Sequence, residues 1–110
     1  MEIAVRPWGN FRTYVMNDKC TVKILHVNAG QKLSRQYHKK REELWIILDE
    51  GLVVEVGDKV LHPKKLEEIR IPKGAIHRLS GKGGGDVLEI SFGSFDEQDI
   101  VRLDDEYGRK

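Results

Sequence analysis

At 110 residues the chain has room for a single core, so residues 1–110 are read as one domain. Its 19 Lys and Arg against 18 Asp and Glu leave a formal charge of +1, which excludes the electrostatic footprint of a nucleic-acid binder or of a protein held on an acidic membrane surface. The longest apolar run, Leu44 to Leu48, is far too short for a transmembrane helix, residues 1–20 carry no signal-like apolar stretch, and the lone Cys20 excludes an intrachain disulfide; a cytoplasmic location is expected.

No window places apolar residues at helical spacing, whereas short β-rich runs broken by Gly, Pro, Asn or Asp recur throughout, and the fold class is read as all-β. In chain order the predicted strands are Phe11–Val15, Thr21–Val27, Leu33–Tyr37, Leu44–Leu48, Leu52–Val56, Lys59–Leu61, Glu68–Ile71, Ile76–Leu79 and Val87–Phe92. Gly57-Asp58 between the fifth and sixth of these predicts a tight hairpin, because both residues tolerate the positive φ that such turns need. The stretch Gly81–Asp86 lies between strands, not between a strand and a helix, and is read as a flexible hairpin loop and not as a phosphate cradle. The charged tail from Asp96 carries scattered Ile100, Val101, Leu103 and Tyr107 and is expected to add a last strand or a short helix. Strands of this number and length suit a sandwich or barrel with a ligand cavity at one end.

Gln36 and His38 are two apart on a predicted strand and so share a face, and Glu43 follows across a short turn. Farther on, Pro72-Lys73-Gly74-Ala75-Ile76-His77 supplies a turn that leads into a strand beginning with a histidine. Two imidazoles, a carboxylate and an amide oxygen form a mixed nitrogen and oxygen set suited to one divalent ion among Zn, Mn, Co, Ni and Fe, and not to Ca or a thiolate-loving metal. A single histidine in a strand more often packs or hydrogen-bonds; the linked spacing Q-x-H-x4-E with P-x-G-x2-H is what singles these four out. His26 and His62 lack such context and are read as ordinary. Lys39-Lys40-Arg41 is a charge run of the kind that is usually solvated.

These segments resemble the paired cupin motifs, G-x5-H-x-H-x(3,4)-E-x6-G and G-x5-P-x-G-x2-H-x3-N, with Gln36 where the first histidine usually stands. The resemblance implies a cupin barrel, a double-stranded β-helix or jelly-roll. The longer pattern is similar to that of the type II mannose-6-phosphate isomerases and runs nearly end to end. It is carried by Arg6-Pro7-Trp8-Gly9, by Leu33-Ser34-x-Gln36-Tyr37-His38-x-x-Arg41-x-Glu43-x-Trp45, by Ile71-Pro72-x-Gly74-x-x-His77-Arg78-Leu79, and by Asp99 to Arg109. Gly81, Ser91 and Leu44 depart from that pattern, none of them at a proposed ligand.

The resemblance implies an isomerase module, commonly fused behind a mannose-1-phosphate guanylyltransferase domain whose Gly-rich fingerprint is absent from this sequence. It implies a phosphorylated hexose substrate, a metal held by Gln36, His38, Glu43 and His77, and Arg41 as the grip on the phosphate or on the enediolate, with Arg102 as second choice. Glu89 is one candidate for the base and metal-bound hydroxide another; the face to which its strand turns Glu89 is open from sequence. Without the resemblance, Arg41 and Arg102 read as surface residues paired with nearby carboxylates. Trp8 and Trp45 are read as core or subunit-contact residues, and a homodimer formed through exposed strands is expected. The competing reading is a non-catalytic sugar-binding or regulatory cupin acting with a separate guanylyltransferase; a metal-dependent oxygenase is a third.

Overall fold

The computed structural model describes residues 2–93, 96 and 98–104. Its strands are β1 Glu2–Arg6, β2 Gly9–Thr13, β3 Cys20–Val27, β4 Arg35–Tyr37, β5 Arg41–Ile47, β6 Leu52–Val56, β7 Lys59–Leu61, β8 Glu68–Ile71, β9 His77–Gly81, β10 Gly85–Gly93 and β11 Val101–Asp104. Among the described residues β1 and β2 pair only with each other; a four-stranded sheet runs β3-β10-β5-β8 and a five-stranded sheet β11-β4-β9-β6-β7. No helix among the described residues is long and apolar enough to cross a membrane. The two larger sheets curl over a shared interior, as the all-β pattern predicted.

Period-two alternation decides which side chains line that interior. On β10, Val87, Glu89 and Ser91 are buried inward while Leu88, Ile90 and Phe92 turn out; on β5 the inward set is Glu43, Trp45 and Ile47. The antiparallel register stacks these sets, placing Val87 beside Ile47, Glu89 beside Trp45 and Ser91 beside Glu43. On β9, His77, Leu79 and Gly81 lie beside Val56, Val54 and Leu52. Polar residues therefore gather at one end of the barrel, and aliphatic ones fill the other. The aliphatic end holds Val27, Ile47, Leu52, Val54, Leu79 and Val87, closed by Leu25, Leu33 and Leu61. Burying each such side chain stabilises the fold by about 1.5–3 kcal/mol, so this end forms the rigid base on which the polar end is held.

Leu44, Ile46 and Ile90 form a smaller cluster on the outer face of the four-stranded sheet, covered by Tyr14 and Val15. β5 is thus buried on both faces, which explains its continuous apolar run.

The Gly57-Asp58 hairpin forms as predicted, joining β6 to β7 with Val56 opposite Lys59 and Gly57 at φ 61°. The glycine-rich loop corrects the reading of a hairpin, since β9 and β10 belong to different sheets and the loop carries the chain across the barrel. Gly84 sits there at φ 73°, and a Cβ on it would lie 2.6 Å from the Val27 carbonyl oxygen, so the loop is packed against the end of β3. The tail supplies the expected last strand: β11 pairs with β4, Arg102 opposite Gln36. Tyr107 and the rest of 105–110 lie outside the described residues.

Candidate metal centre

Three of the four predicted ligands meet at the polar end. The donor atoms of His38, Glu43 and His77 all lie within 4.8 Å of one another, and all three side chains are buried. His77 Nε2 is 3.5 Å from Glu43 Oε1, and His38 Nε2 is 3.8 Å from Glu43 Oε2. β5 contributes Glu43, the start of β9 contributes His77, and His38 follows directly on β4, tied by its carbonyl oxygen to the N–H of Gly74 in the Pro72–Gly74 turn at 2.7 Å.

Backbone acceptors set the imidazoles. His77 Nδ1 lies 2.9 Å from the Ala75 carbonyl oxygen and His38 Nδ1 lies 2.8 Å from that of Asp99. A carbonyl only accepts, so each Nδ1 carries the proton and each Nε2 directs its lone pair into the centre, the arrangement that metal-binding histidines use. Burial, opposed by the Ala75 bond and by the charge of Glu43, lowers the His77 pKa and keeps the ring neutral. Trp45 packs edge-on against His77 at 5.5 Å between ring centroids, which fixes the ring plane.

His77 Nε2 and Glu43 Oε1 are buried and have no hydrogen-bond partner among the described residues. A lone pair and a carboxylate oxygen left facing each other in a buried site are costly unless a cation lies between them, so the residues fit a divalent ion of the nitrogen- and oxygen-binding class.

Gln36 stands opposite His77 across the β4–β9 pair and so on the same face, but its amide oxygen accepts a 2.8 Å hydrogen bond from the Ser34 hydroxyl. A carbonyl-type oxygen has a second lone pair, so this bond does not prevent Gln36 from acting as a ligand.

Arg41 corrects the surface reading. Its side chain is buried, with Nε donating to Glu43 Oε2 at 3.1 Å, one terminal nitrogen donating to the Asp96 carbonyl oxygen at 3.2 Å and the other donating to His38 Nε2 at 3.2 Å. Arg41 and Glu43 are two apart on β5, and it is this shared face that turns the last residue of a charge run inward. Arg102 is half-buried on β11 beside Gln36.

Glu89 turns inward and is buried. Burial first, and then the charge of Glu43, push its pKa up to about 7, while Lys23 and Arg41 pull it down. The Ser91 hydroxyl lies between the two carboxylates, 3.3 Å from Glu89 Oε1 and 3.5 Å from Glu43 Oε2. Sequence reasoning missed Lys23, which the β3–β10 register places directly across from Glu89 on the inner face. The alternation of Lys23 with Leu25 and Val27 was the available signal. It also missed what Asp99 does: its carboxylate accepts the backbone N–H groups of Lys39 and Lys40 at 3.1 and 2.8 Å while its carbonyl holds His38. His26 pairs with Asp86 at the surface, and Cys20 is exposed.

A curled pair of β-sheets with two histidines and a glutamate gathered at one end of the shared interior defines a cupin, a double-stranded β-helix protein. Among solved structures, a double-stranded β-helix protein from Klebsiella pneumoniae superposes with a TM-score of 0.67 at 16% identity, covering 81% of this chain and 73% of that one. The mannose-6-phosphate isomerase C-terminal family model matches residues 2–105, and the chain belongs to that family. It is 39% identical over 107 residues to the xanthan biosynthesis protein XanB of Xanthomonas campestris pv. campestris, covering 94% of this chain and 23% of XanB. It is 36% identical over 107 residues to a mannose-1-phosphate guanylyltransferase of Escherichia coli K12, covering 94% of this chain and 22% of that protein. The chain thus spans less than a quarter of the length of these relatives.

Proposed function

We propose that the chain is a metal-dependent aldose–ketose isomerase that interconverts mannose 6-phosphate and fructose 6-phosphate through an enediolate, feeding GDP-mannose and polysaccharide synthesis. The observation that carries this reading is one buried cluster of three metal-type donors, His38, Glu43 and His77, in which a guanidinium contacts His38 and Glu43 and a second carboxylate of raised pKa lies alongside.

Gln36, His38, Glu43 and His77 would hold the ion, which supplies a Lewis acid for the sugar carbonyl and a counter-charge for the enediolate. Glu89 takes the proton from C2 of the aldose and returns it to C1, while the hydroxyl proton at O2 passes to O1. A carboxylate poised near neutral pH suits both halves of that transfer. Arg41 neutralises the developing enediolate or grips the phosphate, with Arg102 as the second cation at the same end of the barrel. Burial of His38, Arg41, Glu43, His77 and Glu89 strengthens each of these contacts.

Two named relatives more than four times the length of this chain leave room for a second reading, a sugar-binding or regulatory cupin that acts with a separate guanylyltransferase. Protein stripped of metal and reloaded with Zn, Mn, Co, Ni or Fe is assayed for interconversion of the two hexose phosphates beside a His38→Ala/His77→Ala control. Metal-dependent turnover that the control lacks supports the isomerase; metal and sugar binding without turnover selects the second reading.

A further inference from the structure

The N-terminal hairpin has no core of its own. Among the described residues β1 and β2 pair only with each other, and all their residues except Ala4 and Thr13 are exposed. The register puts Ile3 and Val5 on one face of this ribbon and Ala4 and Phe11 on the other, with Trp8 stacked beside Phe11 at 6.3 Å between centroids. Both faces therefore carry apolar groups in water, Val5 at 77% exposure and Trp8 at 73%. An isolated two-stranded ribbon is marginal at best in water, so this arm needs a surface to lie against.

The barrel offers one. β3 is the edge strand of the four-stranded sheet, and its outward residues Val22 and Ile24 stand beside Ile90 and Leu88 as a continuation of the outer apolar cluster. Tyr14 and Val15 cover the middle of that face, but Val22 and Ile24 at its edge remain 56% and 62% exposed. An eight-residue edge strand with an apolar outer face is a surface that folded proteins normally cover.

The geometry points to a second copy of this chain as the occupant: the arm of each copy lies across the outer face of β3 in the other. Both halves of the contact, an apolar arm and an uncovered apolar sheet edge, are carried on one chain, so a two-fold axis satisfies all four surfaces at once and closes the assembly. At about 150 Å² for Trp8 and about 100 Å² for each of the others, the Trp8–Phe11 face of the arm together with Val22 and Ile24 presents roughly 450 Å² of apolar surface in each copy. A standard interface takes about 800 Å² from each partner, a little over half of it apolar, so the patch is large enough for a stable dimer. The formal charge of +1 opposes the pairing of two copies only weakly.

The test is sedimentation analysis and light scattering on the full chain at micromolar concentration, alongside Trp8→Glu in the arm and Ile24→Glu on the face, with Val22→Lys as a second face variant. All three sites are exposed on the single chain, and circular dichroism confirms that each variant is folded. The wild type is expected to be a dimer, and each variant to weaken it at least 100-fold. An equimolar mixture of Trp8→Glu and Ile24→Glu contains a heterodimer with one unaltered arm on one unaltered face, and so associates more tightly than either variant alone. The proposal is overturned by a wild-type monomer, including one that captures a guanylyltransferase domain through Trp8. A dimer that the variants leave intact overturns it too, as does dissociation with no recovery on mixing, which marks a contact of like surfaces and not an exchange.

Discussion

One terminal nitrogen of Arg41 lies 3.2 Å from His38 Nε2, on the ring nitrogen whose lone pair faces the centre. A guanidinium can only donate, and the His38 Nδ1–H is already committed to the Asp99 carbonyl oxygen, so Arg41 and a metal ion draw on the same lone pair. Arg41→Ala removes both this competitor and a positive charge in contact with Glu43. Titration calorimetry is expected to show Zn or Mn bound at least as tightly as by the wild type, while kcat/KM for mannose 6-phosphate falls by about 10² or more, the scale on which a charge-stabilising donor acts. An Arg41→Ala protein that keeps full turnover removes the residue from the mechanism.

The unpaired His77 Nε2 and Glu43 Oε1 imply that a bound ion adds to the stability of the fold. Free metal at about 100 times its dissociation constant raises stability by close to 3 kcal/mol, which for a domain of this size moves the melting temperature upward by roughly 10 °C or more. Differential scanning fluorimetry with and without chelator reads this directly. His38→Ala/His77→Ala is expected to melt at the same temperature in both conditions, and an equal metal-dependent shift in that variant would place the ion elsewhere.

Glu89 makes stability depend on pH in a definite direction. Its folded pKa, about 7, is raised above the 4.5 of an exposed glutamate, so the folded state holds the proton more tightly. The stability it contributes is full below the unfolded value and is lost as pH rises through about 7, a difference approaching about 3 kcal/mol across the window. His77, with its pKa lowered, runs the opposite way, losing stability as pH falls below 6.5. Chemical denaturation of metal-free wild type and Glu89→Gln at steps from pH 4.5 to 8 separates the two: the wild type loses stability relative to the variant as pH rises. A constant difference means that Glu89 does not titrate there. For turnover the same ionisation gives a rate that climbs through neutral pH, and Glu89→Gln is expected to be slower by about 10²–10⁴.

Much of this centre was legible because it rests on short-range rules. Gly57-Asp58 fixed a hairpin, the Pro72–Gly74 turn led into His77, and Glu43 follows His38 across a short bend. What escaped depends on which strands become neighbours. The parity of β10, and hence the inward turn of Glu89 and Ser91, follows from its register with β5, and Lys23 joins them only through the pairing of β3 with β10. Arg41 reads as one member of a basic run until Asp96, from a segment 55 residues away, provides a carbonyl for its guanidinium. Gly81–Asp86 looked like a hairpin because a glycine-rich connection reads the same whether or not its flanking strands pair. β1 went unpredicted because both faces of the arm are open, so no burial pattern marks its residues.

Asp99 extends the argument to a side chain with no donor in the centre. Its two carboxylate oxygens accept the N–H groups of Lys39 and Lys40, fixing the bend between His38 and Arg41, while its own carbonyl orients the His38 ring. Although desolvation pushes the carboxyl up, the two backbone N–H groups prevail and hold its pKa below the usual range. A depressed carboxylate contributes stability above its unfolded pKa and loses it as pH falls through the folded value, so the clamp is intact at neutral pH and is released in acid. Asp99→Ala leaves the carbonyl in place but frees the bend. The expected result is a loss of about 10-fold in metal affinity, the range typical of partners that orient a ligand without binding the ion. Asp99→Asn keeps an acceptor for only one of the two N–H groups and should fall between wild type and Asp99→Ala. Equal metal affinity in all three proteins would mean that the bend is held by Gly74 and the strand ends alone.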